Sequence, residues 1–276
     1  MTQTEPVAPP RDTPARDQMR DQMRGKRLVL ATDLDGTFLG GTDAQRDALY
    51  DWIRACRADI GLIFVTGRDL DFIARLTQDG RVPRPDFVVG DVGTTIAAPD
   101  PQGQGFIPMA ALERGIVARW SSAGPKVRAA LDGVAGLRLQ PTPFRHRVSY
   151  DMDPATFDPA AFDIVRGLGL DALASDNRFF DVLPRGISKG PTLRHLLVDL
   201  GVAETSVLVA GDTLNDLSML SLGVPAVAVG NSEPALLDAL RGRDHVHRPK
   251  GHGAAGIAQA IAHFAFPVPM PSHAFP

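Results

Sequence analysis

The first residues of this chain that could do chemistry follow an apolar stretch near its N-terminus. Leu28 to Thr32 is mostly apolar and predicts a buried parallel strand, and Asp33 and Asp35 come directly after it. The D-x-D spacing alone is not specific, because chance predicts about three such pairs in a chain this rich in Asp. Only this pair lies between an apolar strand and a Gly-Thr step. Since open α/β sheets bind ligands at the carboxyl ends of their strands, the two carboxylates mark a candidate catalytic centre.

Polar residues also end the other predicted strands or begin a predicted helix. They are Thr66, Asp212 with Asn215 and Asp216, Asn231, and Lys189. Taken singly, each is equally well explained as a turn, capping or surface residue. Together they supply what phosphoryl transfer needs: oxygen ligands for a hard cation, a nucleophile, and donors for phosphate oxygens. Because converging carboxylates repel each other, the set predicts a Mg²⁺ ion between Asp33 and Asp212.

The elements that position these residues alternate between strand and helix, which predicts an α/β fold with a doubly wound parallel sheet. We assign this core to residues 26–104 and 181–266. The composition shifts to Pro, Gly and Gln between Pro99 and Gly105, and the pattern that follows differs. Residues 105–180 are therefore predicted to form an inserted α+β cap domain.

The two ends of the chain have little apolar material. Residues 1–25 are rich in Pro, Arg and Asp, and we predict a disordered N-terminal arm with a short helix at most. Residues 267–276 form a Pro-rich tail.

Composition excludes several classes of protein. The chain has 276 residues and a net charge of −3, with no basic helix, which argues against a nucleic-acid partner. No apolar run approaches the length needed to span a membrane. A single cysteine, Cys56, indicates a reducing compartment, so we expect a cytoplasmic protein that acts as a monomer or homodimer.

The ordered motifs resemble those of haloacid dehalogenase-type phosphatases with a C2-type cap (subclass IIB). These motifs are D-x-D-G-T, a hydroxyl residue after the second strand, an isolated Lys and G-D-x-x-N-D. The segments VTGRDLDFIARL, PDFVVGDVGTTI, RVSYDMD, FFDVLP, ISKG, GDTLNDLSML, AVAVGNS and GIAQAIAHF are similar to the sucrose-phosphate phosphatase branch, which includes mannosylfructose-phosphate phosphatases.

The resemblance implies a role for each matching residue. Asp33 would be the nucleophile that forms an aspartyl-phosphate, and Asp35 the general acid and base. Thr66 and Lys189 would hold the phosphoryl oxygens. The implied Mg²⁺ site consists of Asp33, Asp212 and the Asp35 carbonyl, with Asn215 and Asp216 bracing it.

A second set of residues is expected to bind the phosphate or the sugar. At the core these are Thr66, Gly67, Arg68, Lys189 and Asn215, and on the cap they are Gln140, Arg147 and Arg178. Arg145 and His146 are further cap candidates.

We therefore expect a Mg²⁺-dependent phosphatase whose substrate is a small phosphorylated sugar, above all a disaccharide phosphate such as sucrose 6-phosphate or mannosylfructose 6-phosphate. The alternatives are a phosphotransferase or phosphomutase of the same superfamily, and a broad hexose-phosphate phosphatase. A receiver-like phosphorylation switch and an inactive sugar-phosphate-binding protein are less well matched, because of the inserted cap and the complete set of catalytic residue types.

Overall fold

The structure is a computed structural model that describes residues 14–103 and 105–269. Residues 1–13 of the predicted arm, Gln104, and residues 270–276 of the predicted tail lie outside the described residues.

The described residues form two sheets. The larger contains eight strands in the order β12-β11-β10-β1-β2-β3-β4-β5, and the smaller has four in the order β6-β7-β9-β8. The core strands are β1 (Leu28–Thr32), β2 (Ile60–Val65), β3 (Phe87–Gly90), β4 (Thr95–Pro99), β5 (Phe106–Pro108), β10 (Val207–Gly211), β11 (Ala226–Ala228) and β12 (Val246–His247). The remaining strands are β6 (Leu137–Leu139), β7 (Val148–Met152), β8 (Asp171–Ser175) and β9 (Phe179–Leu183).

Helices cover both faces of the larger sheet and one face of the smaller. In chain order they are α1 (Pro14–Arg24), α2 (Asp43–Ala55), α3 (Leu70–Thr77), α4 (Ala110–Trp120), α5 (Gly124–Ala130), α6 (Ala160–Gly167), α7 (Lys189–Leu200), α8 (Leu217–Leu220), α9 (Pro234–Ala239) and α10 (Gly253–His263). None of the helices within the described ranges is both long and apolar enough to cross a lipid bilayer.

The strands from β12 to β3 in the larger sheet are parallel. Strand β4 pairs antiparallel with β3, and β5 pairs antiparallel with β4. Successive side chains of a strand point to opposite faces. In β1, Val29 and Ala31 therefore pack into one apolar core, and Leu28 and Leu30 into the other. Burial on both faces explains why β1 is a continuous apolar run, and it confirms the predicted α/β fold.

The predicted cap boundaries differ from the observed strand pairing at both ends. β5 was assigned to the cap, but Ile107 pairs with Ala98 of β4 in the larger sheet, so the Pro- and Gly-rich stretch is a hairpin turn. At the other end, β9 pairs with β7 and β8 through Leu183, because Phe180 and Val182 face the apolar core of the smaller sheet. A boundary at residue 181 would cut through this strand.

In the described part of the predicted arm, helix α1 takes the place of the predicted disorder. Met19 and Met23 are four residues apart and lie on one face of the helix, against the core. Met23 is buried, and Arg20 Nη2 donates to Asp199 Oδ1 of α7 at 2.7 Å. Composition does not reveal this burial, because two methionines on one face suffice when both contact an existing core.

Candidate active site

The carboxyl ends of the central strands bring the predicted core residues together. Asp33 follows β1 and donates its backbone N–H to Ala210 O at the end of the neighbouring strand β10, over 2.9 Å. Asp212 follows β10, and Thr66 follows β2 on the other side of β1. This is the convergence that the order of the motifs predicts for adjacent parallel strands.

Lys189, the first residue of α7, lies at the centre of this group and is fully buried. Its Nζ donates to Asp33 Oδ1 at 2.7 Å, to Asn215 Oδ1 at 2.6 Å and to Asp216 Oδ1 at 2.6 Å. All three ammonium donors therefore have an acceptor, as a buried charge requires. Burial disfavours the charged form, but the Asp216 and Asp33 carboxylates outweigh it and raise the pKa of Lys189.

Three buried carboxylates face this single ammonium. One carboxylate oxygen from each of Asp33, Asp212 and Asp216 lies within 4.8 Å of the others. Burial raises the pKa of Asp33 well above its usual range against the opposing effect of Lys189, and the neighbouring carboxylates add to the rise. Burial and then repulsion from Asp216 raise the pKa of Asp212 to about 7. With every group ionised, three carboxylates and one ammonium leave two negative charges, which match a divalent cation.

Hydrogen bonds fix the orientation of Asp216 and Asp212. Asp216 Oδ2 accepts the backbone N–H groups of Asp212 at 2.9 Å and Thr213 at 3.0 Å, so both Asp216 oxygens are occupied. Asp212 Oδ1 accepts from Thr37 Oγ1 at 2.6 Å. Asn231 Nδ2 donates to Gly36 O at 3.0 Å and lies 3.4 Å from Asp212 Oδ2. Both oxygens of Asp216 therefore have hydrogen-bond partners, and one oxygen of Asp212 and one of Asp216 belong to the carboxylate cluster.

Gly36 allows Asp212 to approach the D-x-D loop closely. Its φ is +78°, and a Cβ there would lie 2.2 Å from Asp212 Oδ2. Only glycine accepts both the left-handed backbone and this contact.

Asp35 lies outside the carboxylate cluster. Arg68 binds it with both nitrogens of its fork, Nε to Oδ2 at 2.7 Å and Nη2 to Oδ1 at 2.9 Å. The Asp35 side chain is 54% exposed. Its carboxylate therefore faces the open side of the site, and Arg68, a predicted phosphate ligand, is paired with it.

Thr66 and Gly67 form the turn after β2. Thr66 is buried, and its Oγ1 accepts the Arg68 backbone N–H at 3.1 Å, which leaves its own hydroxyl proton for another acceptor. Gly67 O accepts from Arg147 Nη2 of the cap region at 2.8 Å.

A cavity of about 530 Å³ lies between the core cluster and the smaller sheet. Small-molecule sites commonly measure roughly 300–1,000 Å³. Its core walls include Asp33, Asp35, Arg68, Asp212 and Asn215, and its cap walls include Gln140, Thr142, Ser175, Asp176, Arg178 and Phe179. Asp176 and Asn177 both have positive φ and form the tight turn between β8 and β9, so this hairpin tip meets the cavity.

The predicted cap residues have different partners. Gln140 and Arg178 line the cavity, and Gln140 Nε2 donates to Asp151 Oδ1 at 3.0 Å. Arg147 also lines it, but its Nη1 donates to Asp181 Oδ1 at 2.7 Å and it is almost fully buried. Arg145 lies outside the lining and binds Glu113, with Nη2 to Oε2 at 2.6 Å.

Three buried acids around these arginines were not among the predicted residues: Asp91, Glu113 and Asp181. Asp91 lies in the GDVGTTI segment and Asp181 in FFDVLP. For Asp181 the available signal is a charged residue inside the apolar strand β9, because an acid is rarely buried without a partner.

Comparisons with known proteins identify the family of the chain. The family model described as sucrose-6F-phosphate phosphohydrolase matches residues 26–265. A glucosylglycerol-phosphate synthase from Pseudomonas anguilliseptica is 40% identical over 240 residues, which are 87% of this chain and 31% of the synthase. The chain thus spans about a third of that relative's length. A mannosylfructose-phosphate phosphatase from Agrobacterium fabrum is 28% identical over 86% of this chain and 96% of its own.

Solved structures with the same fold include a sucrose-phosphatase from Synechocystis sp. PCC6803 in complex with sucrose and phosphate. It superposes with a TM-score of 0.78 at 25% identity, over 88% of this chain and 99% of its own. A haloacid dehalogenase-like hydrolase from Bacteroides thetaiotaomicron superposes with a TM-score of 0.60 at 18% identity, over 86% of this chain and 98% of its own. The chain belongs to the sucrose-6F-phosphate phosphohydrolase family, and its fold is that of haloacid dehalogenase-like hydrolases.

Proposed function

We propose that this member of the sucrose-6F-phosphate phosphohydrolase family hydrolyses the phosphate monoester of a small glycoside, with Asp33 as the nucleophile. The observation that carries the proposal is the buried Lys189 ammonium, which binds Asp33, Asn215 and Asp216 at the floor of a cavity roofed by the cap. Lys189 binds Oδ1 of Asp33 and leaves the second oxygen for attack. A cation beside the nucleophile also stabilises the charge on the transferring phosphoryl group.

The proposed reaction has two steps. Asp33 attacks phosphorus, the bond between phosphorus and the sugar oxygen breaks, and Asp35 gives its proton to that oxygen. The Asp35 carboxylate then takes a proton from water, which attacks phosphorus and releases inorganic phosphate and Asp33. Arg68 holds Asp35 in the structure, and an arriving phosphate dianion would compete for that guanidinium and free the carboxyl group for proton transfer.

The donor set fits the Mg²⁺ ion that the motifs predict. Asp33 and Asp212 would hold the ion with carboxylate oxygens, Asp35 would contribute its main-chain carbonyl, and Asp216 and Asn215 would brace the site. This assignment is supported by the excess of two negative charges and by the hydrogen bonds that already occupy both Asp216 oxygens. When bound, Mg²⁺ neutralises charge that would otherwise keep a phosphate dianion away from the nucleophile.

Sugar recognition is proposed for Gln140 and Arg178, together with the hairpin tip at Ser175 and Asp176. These side chains line the cavity opposite the carboxylates, where the group attached to phosphate must lie. Amide, hydroxyl and charged groups on the cap side of the cavity can form hydrogen bonds with a polyol such as a glycoside.

The names of the relatives indicate which glycosides to test. The synthase that shares 40% identity is named for glucosylglycerol phosphate, and the phosphatase from Agrobacterium fabrum for mannosylfructose phosphate. We therefore include glucosylglycerol phosphate beside the two disaccharide phosphates. The alternatives are a phosphotransferase or phosphomutase, and a broad hexose-phosphate phosphatase.

Phosphate release from a panel of substrates distinguishes these functions. The panel contains glucosylglycerol phosphate, sucrose 6-phosphate, mannosylfructose 6-phosphate, glucose 6-phosphate and p-nitrophenyl phosphate, each with Mg²⁺ and with a chelator. We expect Mg²⁺-dependent release with a marked preference for one glycoside phosphate. Equal, slow release from all esters would indicate the broad phosphatase. Transfer of the phosphoryl group to an added sugar, without release of free phosphate, would indicate the phosphotransferase.

A further inference from the structure

Arg147 joins the cap to the core. It immediately precedes β7 in the cap, and its Nη1 donates to Asp181 Oδ1 of β9, also in the cap, at 2.7 Å. Its Nη2 donates across the cavity wall to Gly67 O of the core at 2.8 Å and lies 3.9 Å from Asp91 Oδ1. The Phe144 ring covers the guanidinium at 3.5 Å from its centroid. A buried, covered guanidinium with these partners is not free to rearrange around a sugar.

Asp91 depends on this arginine for its counter-charge. It is buried, and among the described residues its Oδ1 has no hydrogen-bond partner. Its Oδ2 accepts from Thr95 Oγ1 at 2.6 Å. Burial raises the pKa of Asp91, and the Arg147 charge opposes that rise. If Arg147 left this position, the core would retain a buried carboxylate without its nearest cation.

Asp91 belongs to a strained loop that touches both phosphate-binding elements. Asp91, Val92 and Gly93 have φ values of 53°, 58° and 95°, and a β-branched residue such as Val92 rarely adopts a left-handed backbone. The Asp91 N–H donates to Arg68 O at 3.1 Å and the Val92 N–H to Thr66 O at 3.0 Å.

The other end of the loop packs on α7. Thr192 Oγ1 donates to Gly93 O at 2.7 Å, and a Cβ on Gly93 would lie 2.3 Å from the Ser188 carbonyl carbon, beside Lys189. The loop is thus held between the Thr66 turn and the start of the helix that carries Lys189. A group that fixes this loop fixes the spacing of two residues proposed to bind phosphate.

We propose that Arg147 is a positioning residue: it couples the docked cap to the Thr66–Arg68 turn and the Asp91–Gly93 loop, and it does not recognise the sugar. The kinetic test of this inference assumes the proposed phosphatase function. The inference gives Arg147 a different role from Arg178, because both line the cavity but only Arg147 has a hydrogen bond to Gly67 O among the described residues. Correct placement of phosphate ligands is required for every substrate, whatever its leaving group, since errors of about 1 Å can cost roughly 100-fold in rate.

The kinetic test compares Arg147→Met with Arg178→Ala on the preferred glycoside phosphate and on p-nitrophenyl phosphate. Arg147→Met should lower kcat by about 10- to 100-fold on both substrates with little change in KM. Arg178→Ala should mainly raise KM for the glycoside phosphate. The control Arg119→Ala, which removes an exposed arginine of α4 outside the cavity lining, should leave both substrates unaffected. A rise in KM for the glycoside phosphate alone, or no effect, in Arg147→Met would overturn the proposal.

A second substitution tests the charge relation directly. Adding Asp91→Asn to Arg147→Met removes the carboxylate that has lost its cation, so part of the lost kcat should return. A sugar ligand could not be restored in this way, and a double variant no faster than Arg147→Met would contradict the coupling. If Arg147→Met does not fold, Arg147→Lys keeps the charge but lacks the planar fork, and the same pattern should appear with a smaller loss.

Cap position can be measured without activity. In a Cys56→Ser background, spin labels at Val198→Cys on core helix α7 and Leu168→Cys on the cap report the distance between the two parts, and both sites are exposed. With Arg147 intact we expect one narrow distance population, and with Arg147→Met a broader one that extends to longer distances. Identical distance distributions would overturn the proposal for Arg147, whether or not the protein is an active phosphatase. A protein that releases no phosphate from any ester but shows the expected change in distances would count only against the proposed function.

Discussion

At the scale of single residues, the ammonium of Lys189 is the cation that compensates part of the negative charge of the buried acids. A lysine at a helix N-terminus gains nothing from the helix dipole, and the complete burial of Lys189 would be costly without its three acceptors. The lysine and the acids therefore depend on each other. Replacing Lys189 would leave three buried carboxylates without their cation, whereas replacing one acid would reduce the excess negative charge of the cluster.

Asp35→Asn tests the proposed acid and base. With p-nitrophenyl phosphate, whose leaving group needs no proton, the first step should continue while attack by water slows. Rapid mixing should then show a burst of nitrophenol close to one equivalent per enzyme, followed by a slow steady state. With the glycoside phosphate, kcat should fall by about 100-fold or more. Asp71→Asn changes an exposed carboxylate of another D-x-D pair and is the control. Full activity in Asp35→Asn would remove Asp35 from this role.

The convergence of the core site could be predicted from sequence because Asp33, Thr66 and Asp212 directly follow strands and Lys189 begins a helix. Adjacent parallel strands end at one edge, so Asp33, Thr66 and Asp212 had to converge. The partners of Arg147 could not be predicted, because they lie 34 and 80 residues away along the chain. Local sequence patterns do not indicate partners that are so distant along the chain. An arginine directly before a strand is also typical of an exposed position.

At the scale of elements, helix α1 is the clearest difference between sequence and structure. Its sequence is mostly polar, and we attribute its stability to the contacts of Met19 and Met23 with the core rather than to its own propensity. The strand predicted for residues 28–32 is confirmed as β1, because a continuous apolar run is stable in a sheet that is covered on both faces.

Met23→Ala tests whether α1 is part of the folded core. Met23 is 2% exposed and packs with residues of β1 and β2. Its truncation should lower the free energy of unfolding by about 2–5 kcal/mol, as for other buried methionines. Urea unfolding measures this change, with the adjacent exposed Gln22→Ala as control. Equal stability of the two variants would mean that α1 does not pack as described.

At the scale of the whole molecule, the two sheets enclose the site between them. The core supplies the carboxylates and Lys189, and the cap supplies the polar residues that face them across the cavity. Closing such a cavity excludes bulk water from the phosphoryl group during the first step. The cap also contacts the core through the hydrogen bond from Arg147 to Gly67 O. Under the proposed function, Gln140 and Arg178 would bind the sugar, and Arg147 would position the residues that bind phosphate.

The carboxylate cluster should make the stability of the metal-free protein depend on pH. Burial raises the pKa of Asp212 from 3.8 to about 7. Between these values the folded protein binds more protons than the unfolded chain, so its free energy of unfolding should fall as pH rises. Mg²⁺ replaces the missing positive charge, so its stabilising effect should be larger at pH 8 than at pH 5.

Denaturant unfolding at several pH values, with Mg²⁺ and with a chelator, measures this dependence. Asp212→Asn should remove much of the slope and most of the Mg²⁺ effect. Stability that stayed constant over this range, or an equal Mg²⁺ effect at both ends of it, would argue against a metal at the cluster.

The most direct test of the central claim is the rate of Mg²⁺-dependent phosphate release by Asp33→Asn beside the Asp71→Asn control. Asn keeps the size of Asp33 but cannot act as the nucleophile that forms an acyl phosphate. We predict that Asp33→Asn releases phosphate at least about 1,000-fold more slowly than the wild type, while Asp71→Asn stays within about two-fold. Appreciable turnover by a correctly folded Asp33→Asn protein would contradict the assignment of this cluster as the active site.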